Sequence, residues 1–299
     1  MTGWQPHTVV TDEYVDPAPV AALSAVLDSG APPIGAGDPL PPLWHWAALA
    51  RWPVSSEIGA DGHPARGSFL PPVDLPRRMF AGGAVVLHEA VTIGSTVRRV
   101  ARVVAVTPKS GRTGPLVVVD VEIRLYTGAD TLAVVERQNL IYREAVAPGS
   151  IGSATPSEPE PEPAGTPLRR VAEWDWELRT DPTVLMRFSA ATANPHRIHY
   201  DWPYATGVEG YPALVVHGPL MTLAMAETIR RERPDPAPIR LRHRNLAPLF
   251  CAEPARIQRR DTADTDLELA VRTGGGTDRT VEHTVLTADF DHDGDRTHA

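Results

Sequence analysis

The chain has 299 residues, 42 % of them hydrophobic and 22 % charged; this is the composition of a globular protein, and the length exceeds what one small core needs, so two domains are expected. A formal net charge of −8 argues against a general nucleic-acid binder, since phosphate binding needs a basic face. The single cysteine, Cys251, excludes an intrachain disulfide and any multi-cysteine metal site.

No run of about twenty apolar residues is present, and the opening MTGWQPHTVVTDEYVDP lacks the basic and apolar blocks of a signal peptide; the expectation is a cytoplasmic protein with no membrane partner. Cys251 sits in the apolar run LAPLFCAEP and reads as a buried small residue rather than a nucleophile. Lys109, the sole lysine, lies in a Gly-rich turn, which leaves Schiff-base chemistry little ground.

In chain order, VAALSAVL (20–27) and PPLWHWAALARW (41–52) have helix-like apolar spacing, with His45 of WHW read as a packed histidine beside an aromatic surface. Valine-rich, often alternating runs then predict strands at 84–91, 95–106, 115–127 and 131–144, with KSGRTGP as a turn between two of them. This turn lacks the order of a phosphate loop and leads into a strand rather than a helix. The segment 147–167, rich in Pro, Glu, Ser and Gly, has almost nothing to bury and reads as a linker. It separates a first domain, 1–146, from a second, 168–299.

In the second half PLMTLAMAETIRRER (219–233) is a helix with Pro219 in its first turn and Leu220, Leu223, Ala224 and Ile229 along one stripe. Strands follow at 238–247, 255–260, 266–273 and 279–290, with TGGGTD as a tight hairpin. A helix and a mainly antiparallel sheet, occurring twice, make an α+β protein. The tail FDHDGDRTHA mimics the first half of a calcium loop through Asp289, Asp291, Asp293 and Gly294, but the twelfth-position Glu would lie beyond Ala299, so it reads as a frayed acidic terminus.

Chemistry concentrates in FSAATANPHRIHYDWPYATGVEGYPALVVHGPL. Asn194, His196, His199 and Asp201 cluster on a segment broken by Pro195, and His217-Gly218-Pro219 opens the strong helix, where free N–H groups and the positive end of the helix dipole make an oxyanion site. A zinc reading of His196, His199 and either Asp201 or His217 is weaker, because H-x-x-H alone specifies little. Arg77 and Arg78 of LPRRMFAGG are anion-contact candidates, although an exposed Arg pair is commonly just solvated.

These residues resemble the MaoC-like, (R)-specific enoyl-CoA hydratase family: a Phe-Ser, a short polar stretch, N-x-x-x-x-H-x-D, Y-A and an H-G opening the central helix. The chain is most similar to the subgroup of mesaconyl-CoA and itaconyl-CoA hydratases and 3-hydroxyacyl-thioester dehydratases, supported in the first half by PPLWHW, GSFLPP, LPRRMFAGG, KSGRTGPLVVV and NLIYRE. The resemblance runs from about Pro17 to Phe290. It implies a double hot-dog fold, two antiparallel sheets each wrapping a central helix, and reversible hydration of an enoyl thioester with no cofactor. The partners it implies are an acyl-CoA or acyl-carrier-protein substrate and, for assembly, a homodimer. A hot-dog thioesterase and a non-catalytic acyl-thioester binder are the alternatives.

One departure matters. The common motif has an Asp five residues before the catalytic His and an Asn three before it; counting back from His199, those positions hold Asn194 and His196. By the resemblance, His199 activates the water. Neutral Asn194 can only position it. His196 either carries the second proton or orients the loop, Asp201 fixes a tautomer or caps a helix, Gly218 supplies the oxyanion N–H, and His217 closes the loop. A dicarboxylic acyl chain would favour a pocket arginine such as Arg197 or Arg78.

Overall fold

A computed structural model describes residues 3–111, 114–128, 130–145, 165–261, 267–274 and 279–290. The body of the expected linker, the tips Arg112–Thr113 and 275–278 of two expected turns, and the tail after Phe290 lie outside the described residues.

The first half supplies β1 (Thr8–Tyr14), α1 (Pro17–Leu27), α2 (His45–Ala48), β2 (Arg77–Leu87), β3 (Thr96–Gly111), β4 (Gly114–Thr127) and β5 (Thr131–Arg143). The second supplies β6 (Leu168–Ala172), β7 (Asp175–Leu178), α3 (Pro182–Ala191), α4 (Trp202–Gly207), α5 (Gly218–Glu232), β8 (Pro238–Asn245), β9 (Ala255–Arg259), β10 (Leu267–Thr273) and β11 (Val281–Phe290). All strands join one antiparallel sheet in the order β1-β3-β4-β5-β2-β8-β11-β10-β9-β7-β6. The α+β double hot-dog architecture is therefore built from two half-sheets continuous through the β2–β8 pairing.

That junction explains the two glycines of LPRRMFAGG. Gly82 faces Arg244 and Gly83 faces His243, and a Cβ on Gly83 would stand 2.0 Å from the Arg137 carbonyl oxygen. Only a residue without a side chain lets three strands close up there.

Several sequence expectations are corrected. The first large strand begins at Arg77 rather than at Ala84, so Arg77 and Arg78 are sheet residues, both 8 % exposed, and not a solvated pair. The helical pattern at 41–52 yields only the single turn α2, whose His45 is indeed buried and bonds Glu136 at 2.9 Å. Strand β1, the β6–β7 pair and helix α3 were not anticipated, whereas α4 is the short helix that Asp201 was expected to cap. Helix α5 is buried from Leu220 through Ile229 on every side, not on one stripe, because it lies against β10, β11 and β2. Asp289 of the apparent calcium loop sits in β11, paired with Arg242.

The halves also touch through helices. Helix α1 packs on α3, and Arg187 of α3 donates to the Ala25 carbonyl at 2.9 Å. No helix among the described residues is long and apolar enough to cross a membrane.

Candidate active site

The turn bearing the histidines is fixed at both ends by caps. Helix α3 starts at Asp181, whose carboxylate accepts from Val184 N–H, and stops when Ala193 takes a left-handed φ of 47°. Asn194 Oδ1 then accepts from His196 N–H at 3.2 Å, folding the chain back on itself. A 3₁₀ turn over Arg197–His199 follows, and Asp201 Oδ1 accepts from Tyr204 N–H at the start of α4. Asp201 is thus a helix cap, and it also pairs with Arg197 at 2.7 Å.

This turn buries its imidazoles. His199 Nδ1 stands 2.7 Å from the Val215 carbonyl oxygen, which can only accept, so Nδ1 carries the hydrogen and Nε2 keeps a lone pair. Its ring stacks on His217 at 3.6 Å and meets His196 edge-on at 5.5 Å. His217 bonds Ser189 Oγ through Nε2 at 2.8 Å, while its buried Nδ1 has no hydrogen-bond partner among the described residues. Burial pushes the His199 imidazole down to about 3 against the opposing Val215 bond, and burial, with the neighbouring imidazoles and, for His196, Arg78, drives His196 and His217 well below the ordinary range. All three are neutral near pH 7, the state in which imidazole accepts a proton. Gly218 opens α5 beside them, and its N–H is one of the first-turn donors that the helix cannot satisfy.

The three candidate arginines separate. Arg77 is committed to Glu209 at 2.7 Å and the Tyr211 hydroxyl at 2.6 Å. Arg197 is committed to Asp201, to the Ala60 carbonyl at 3.0 Å and to the face of Tyr204. Arg78 is buried as well, yet among the described residues it forms no ion pair; the Tyr142 hydroxyl lies beside it without a well-aligned hydrogen bond. Burial pulls its guanidinium below the ordinary value, and its charge reaches Asp61, His63 and His196.

A first-half segment unmarked by the sequence reading completes the cluster. Residues 58–64 form a tight turn closed by an Ile58–Pro64 bridge and by Gly59 N–H to the His63 carbonyl at 2.7 Å. It docks backbone to backbone on the histidine turn: Arg197 N–H donates to the Asp61 carbonyl, and a Cβ on Gly62, at φ +89°, would come within 1.9 Å of the Pro195 carbonyl oxygen. The His63 ring lies 4.0 Å from His196, and its Nδ1 bonds Asp61 Oδ2 at 3.1 Å. Polar atoms of Asp61, His63 and His196 fall within 4.8 Å of one another. The only sequence signal for this turn was Asp-Gly-His-Pro itself, which has the composition of an ordinary surface turn.

A set of neutral imidazoles facing a helix N-terminus can take a proton from water and return it to carbon while N–H donors hold a developing oxyanion. The comparisons agree with that chemistry. The model of the family described as hydroxyacyl-thioester dehydratase type 2 matches residues 43–251. A mesaconyl-C(4)-CoA hydratase of Chloroflexus aurantiacus is 41 % identical over 271 residues, covering 89 % of this chain and 91 % of that protein. The crystal structure of HtdX of Mycobacterium tuberculosis superposes with a TM-score of 0.61 at 20 % identity, covering 95 % of this chain and all of that one. A conserved hypothetical protein of the same organism, described as having a double hot-dog fold, gives 0.56 at 14 % identity over 96 % of each chain. The chain belongs to the hydroxyacyl-thioester dehydratase type 2 family of MaoC-like hydro-lyases, which hydrate enoyl thioesters and dehydrate 3-hydroxyacyl thioesters.

Proposed function

We propose that the enzyme reversibly hydrates an enoyl-CoA whose acyl chain carries a second carboxylate, the class to which mesaconyl-CoA and itaconyl-CoA belong. Arg78 carries this reading: a buried guanidinium that forms no ion pair among the described residues, within electrostatic reach of Asp61 and next to the imidazole cluster, is stabilised by an anionic substrate group. The 41 % identical relative, a mesaconyl-C(4)-CoA hydratase, points the same way and favours CoA over a carrier protein.

In this reading the thioester carbonyl oxygen sits at the Gly218 N–H and the alkene lies over the histidine turn. His199 Nε2 receives a hydrogen bond from the attacking water and activates it toward the β-carbon. Asn194 and Asp201 shape the turn, His217 supports the His199 ring from its other face, and Arg77 and Arg197 hold the walls. Two hot-dog domains, 1–146 and 168–299, joined by 147–167, share the site; all of β1–β5 come from the first and all of β6–β11 from the second.

The test is turnover of crotonyl-, mesaconyl- and itaconyl-CoA by the full chain, following hydrated product and free CoA separately. Hydration with a preference for the dicarboxylic thioesters is expected. Arg78→Met should lower kcat/KM for these about a hundredfold, the 2–3 kcal/mol of a charge-assisted pair, and leave crotonyl-CoA within a few-fold. Free thiol without hydrated product would establish a thioesterase instead, and equal loss on all three substrates would remove Arg78 from acyl selection.

A further inference from the structure

Hydration needs a site where the proton rests after leaving water and before reaching the α-carbon. In the histidine turn nothing is equipped to stabilise it. His199 leans on a carbonyl, His217 on a hydroxyl, and Asn194 stands where the related motif has a carboxylate. An imidazolium formed on either buried ring would lack a counter-charge. Of the imidazoles in this cluster, the one hydrogen-bonded to a carboxylate is His63, through Asp61.

We propose that Asp61 and His63, from the first half of the chain, replace the absent motif carboxylate: His63 is a catalytic residue that holds the proton in transit, and Asp61 is the positioning residue that fixes its tautomer. The proposal rests on the hydratase reading above. The Asp61 bond places hydrogen on His63 Nδ1 and leaves the Nε2 lone pair to act. His63 keeps 19 % of its side chain exposed, whereas His199 is 6 % exposed and His217 is sealed, so of the three rings His63 is the one that water and substrate reach most readily.

The step balances with water and the alkene alone. As the water oxygen bonds to the β-carbon, one of its O–H bonds breaks and that proton passes to His63 Nε2. The alkene electron pair moves onto the thioester oxygen at the Gly218 N–H. His199 Nε2 retains the water's other hydrogen in a hydrogen bond. The His63 imidazolium, held against the Asp61 carboxylate, then gives its proton to the α-carbon as the enolate collapses, and neutral His63 is restored. A neutral resting His63 is required, and burial, together with Arg78 and Arg66, holds it down to about 4 against the opposing pull of Asp61. His196, against its face, and His199 complete its charged and titratable surroundings.

A cation held by Asp61, His63 and His196 is the rival use of the same atoms. Arg78 disfavours it, because its positive charge already acts on both imidazoles.

The experiment compares the full-length wild type with His63→Ala, His63→Gln, Asp61→Asn and Asp61→Glu. Both His63 variants should lose about 10²–10³ in kcat with KM little changed. Asp61→Asn should lose about tenfold in kcat and move the acid limb of kcat/KM to lower pH, because removing the carboxylate lowers the His63 pKa further; Asp61→Glu should restore both. A merely structural Asp61 would not move that limb. Folded His63 variants with wild-type kcat overturn the proposal. So does an unmoved acid limb in Asp61→Asn, or a stoichiometric transition metal bound by the wild type and lost in His63→Ala. Wild-type failure on every thioester would sink the hydratase reading alone. The proposal is then read from histidine ring NMR: His63 should carry its hydrogen on Nδ1 and shift on addition of crotonyl-CoA, and a ring indifferent to the thioester overturns it.

Discussion

The two turns that frame the imidazole cluster hold their shapes by different means. The second-half turn, 192–201, is self-supporting: it lies between capped helices, folds over the Asn194 side chain, and ties Arg197 to Asp201 within itself. The first-half turn, 58–64, has one bridge and a few backbone bonds of its own, and borrows its position from the other through Arg197 and through contact of Gly62 with Pro195. A recognisable motif resides in the first kind because local residues dictate its geometry. A docked turn can carry equally important groups while leaving only a weak local signature.

Acid should break both turns together and gives the largest effect. His63, His199 and His243 have folded pKa values lowered to about 4, 3 and 4, and His196 and His217 are lowered as well, all by burial. The unfolded chain binds protons near the ordinary value of about 6.5, so the stability contributed by keeping these rings neutral is fully present above pH 6.5 and is lost as pH falls toward 4. Each strongly lowered histidine forfeits about 2 kcal/mol by pH 5, and together the group forfeits several. Urea midpoints at pH 7.5, 6 and 5 should fall steeply; a flat profile would mean that these rings are not held neutral.

Next in size, His199→Ala should reduce hydration by about 10³ or more in a folded protein, judged by circular dichroism and kcat. Near-normal turnover would take His199 out of the mechanism. Gly62→Val attacks the docking rather than the motif. Its side chain would drive 58–64 away from Pro195, and its backbone would be strained at positive φ, so activity should drop about a hundredfold. If Gly62→Val keeps wild-type kcat, the two turns need not touch, and their comparison loses its functional point.

The same contrast marks what the sequence could reveal. Helix α5 and strands β8 to β11 were legible because Pro219 and a regular apolar spacing, then alternating residues between turns, leave little choice of element. The helix at 41–52 was misread since apolar spacing there serves packing of Trp44 and Leu43 in a largely non-helical segment. Arg77 and Arg78 stand out in the sequence as anion-contact candidates, but whether they are solvated or buried is not legible there, because composition is silent on which strand pairs with which; β2 lies between β5 and β8, and that pairing is set far along the chain. His199, Asn194 and Gly218 stood out by spacing within one segment. Asp61 and His63 did not, because Gly62 acquires its meaning from a carbonyl oxygen at Pro195, over a hundred residues away.

The smallest effect sharpens the comparison most cleanly, since it tests whether the second-half turn is self-supporting. Asn194 Oδ1 accepts from His196 N–H, a role open to any short side chain with an acceptor oxygen. Asn194→Asp should therefore keep stability within about 0.5 kcal/mol, and Asn194→Ala should cost about 1 kcal/mol, the usual loss when such a local bond is removed. The new carboxylate would also add negative charge beside His196, whose ring lies 4.0 Å from His63, so the acid limb that His63 sets should move to higher pH in Asn194→Asp and stay put in Asn194→Ala. Equal stability of both variants would show that the turn does not depend on its own side chain and is held, like its partner, from outside.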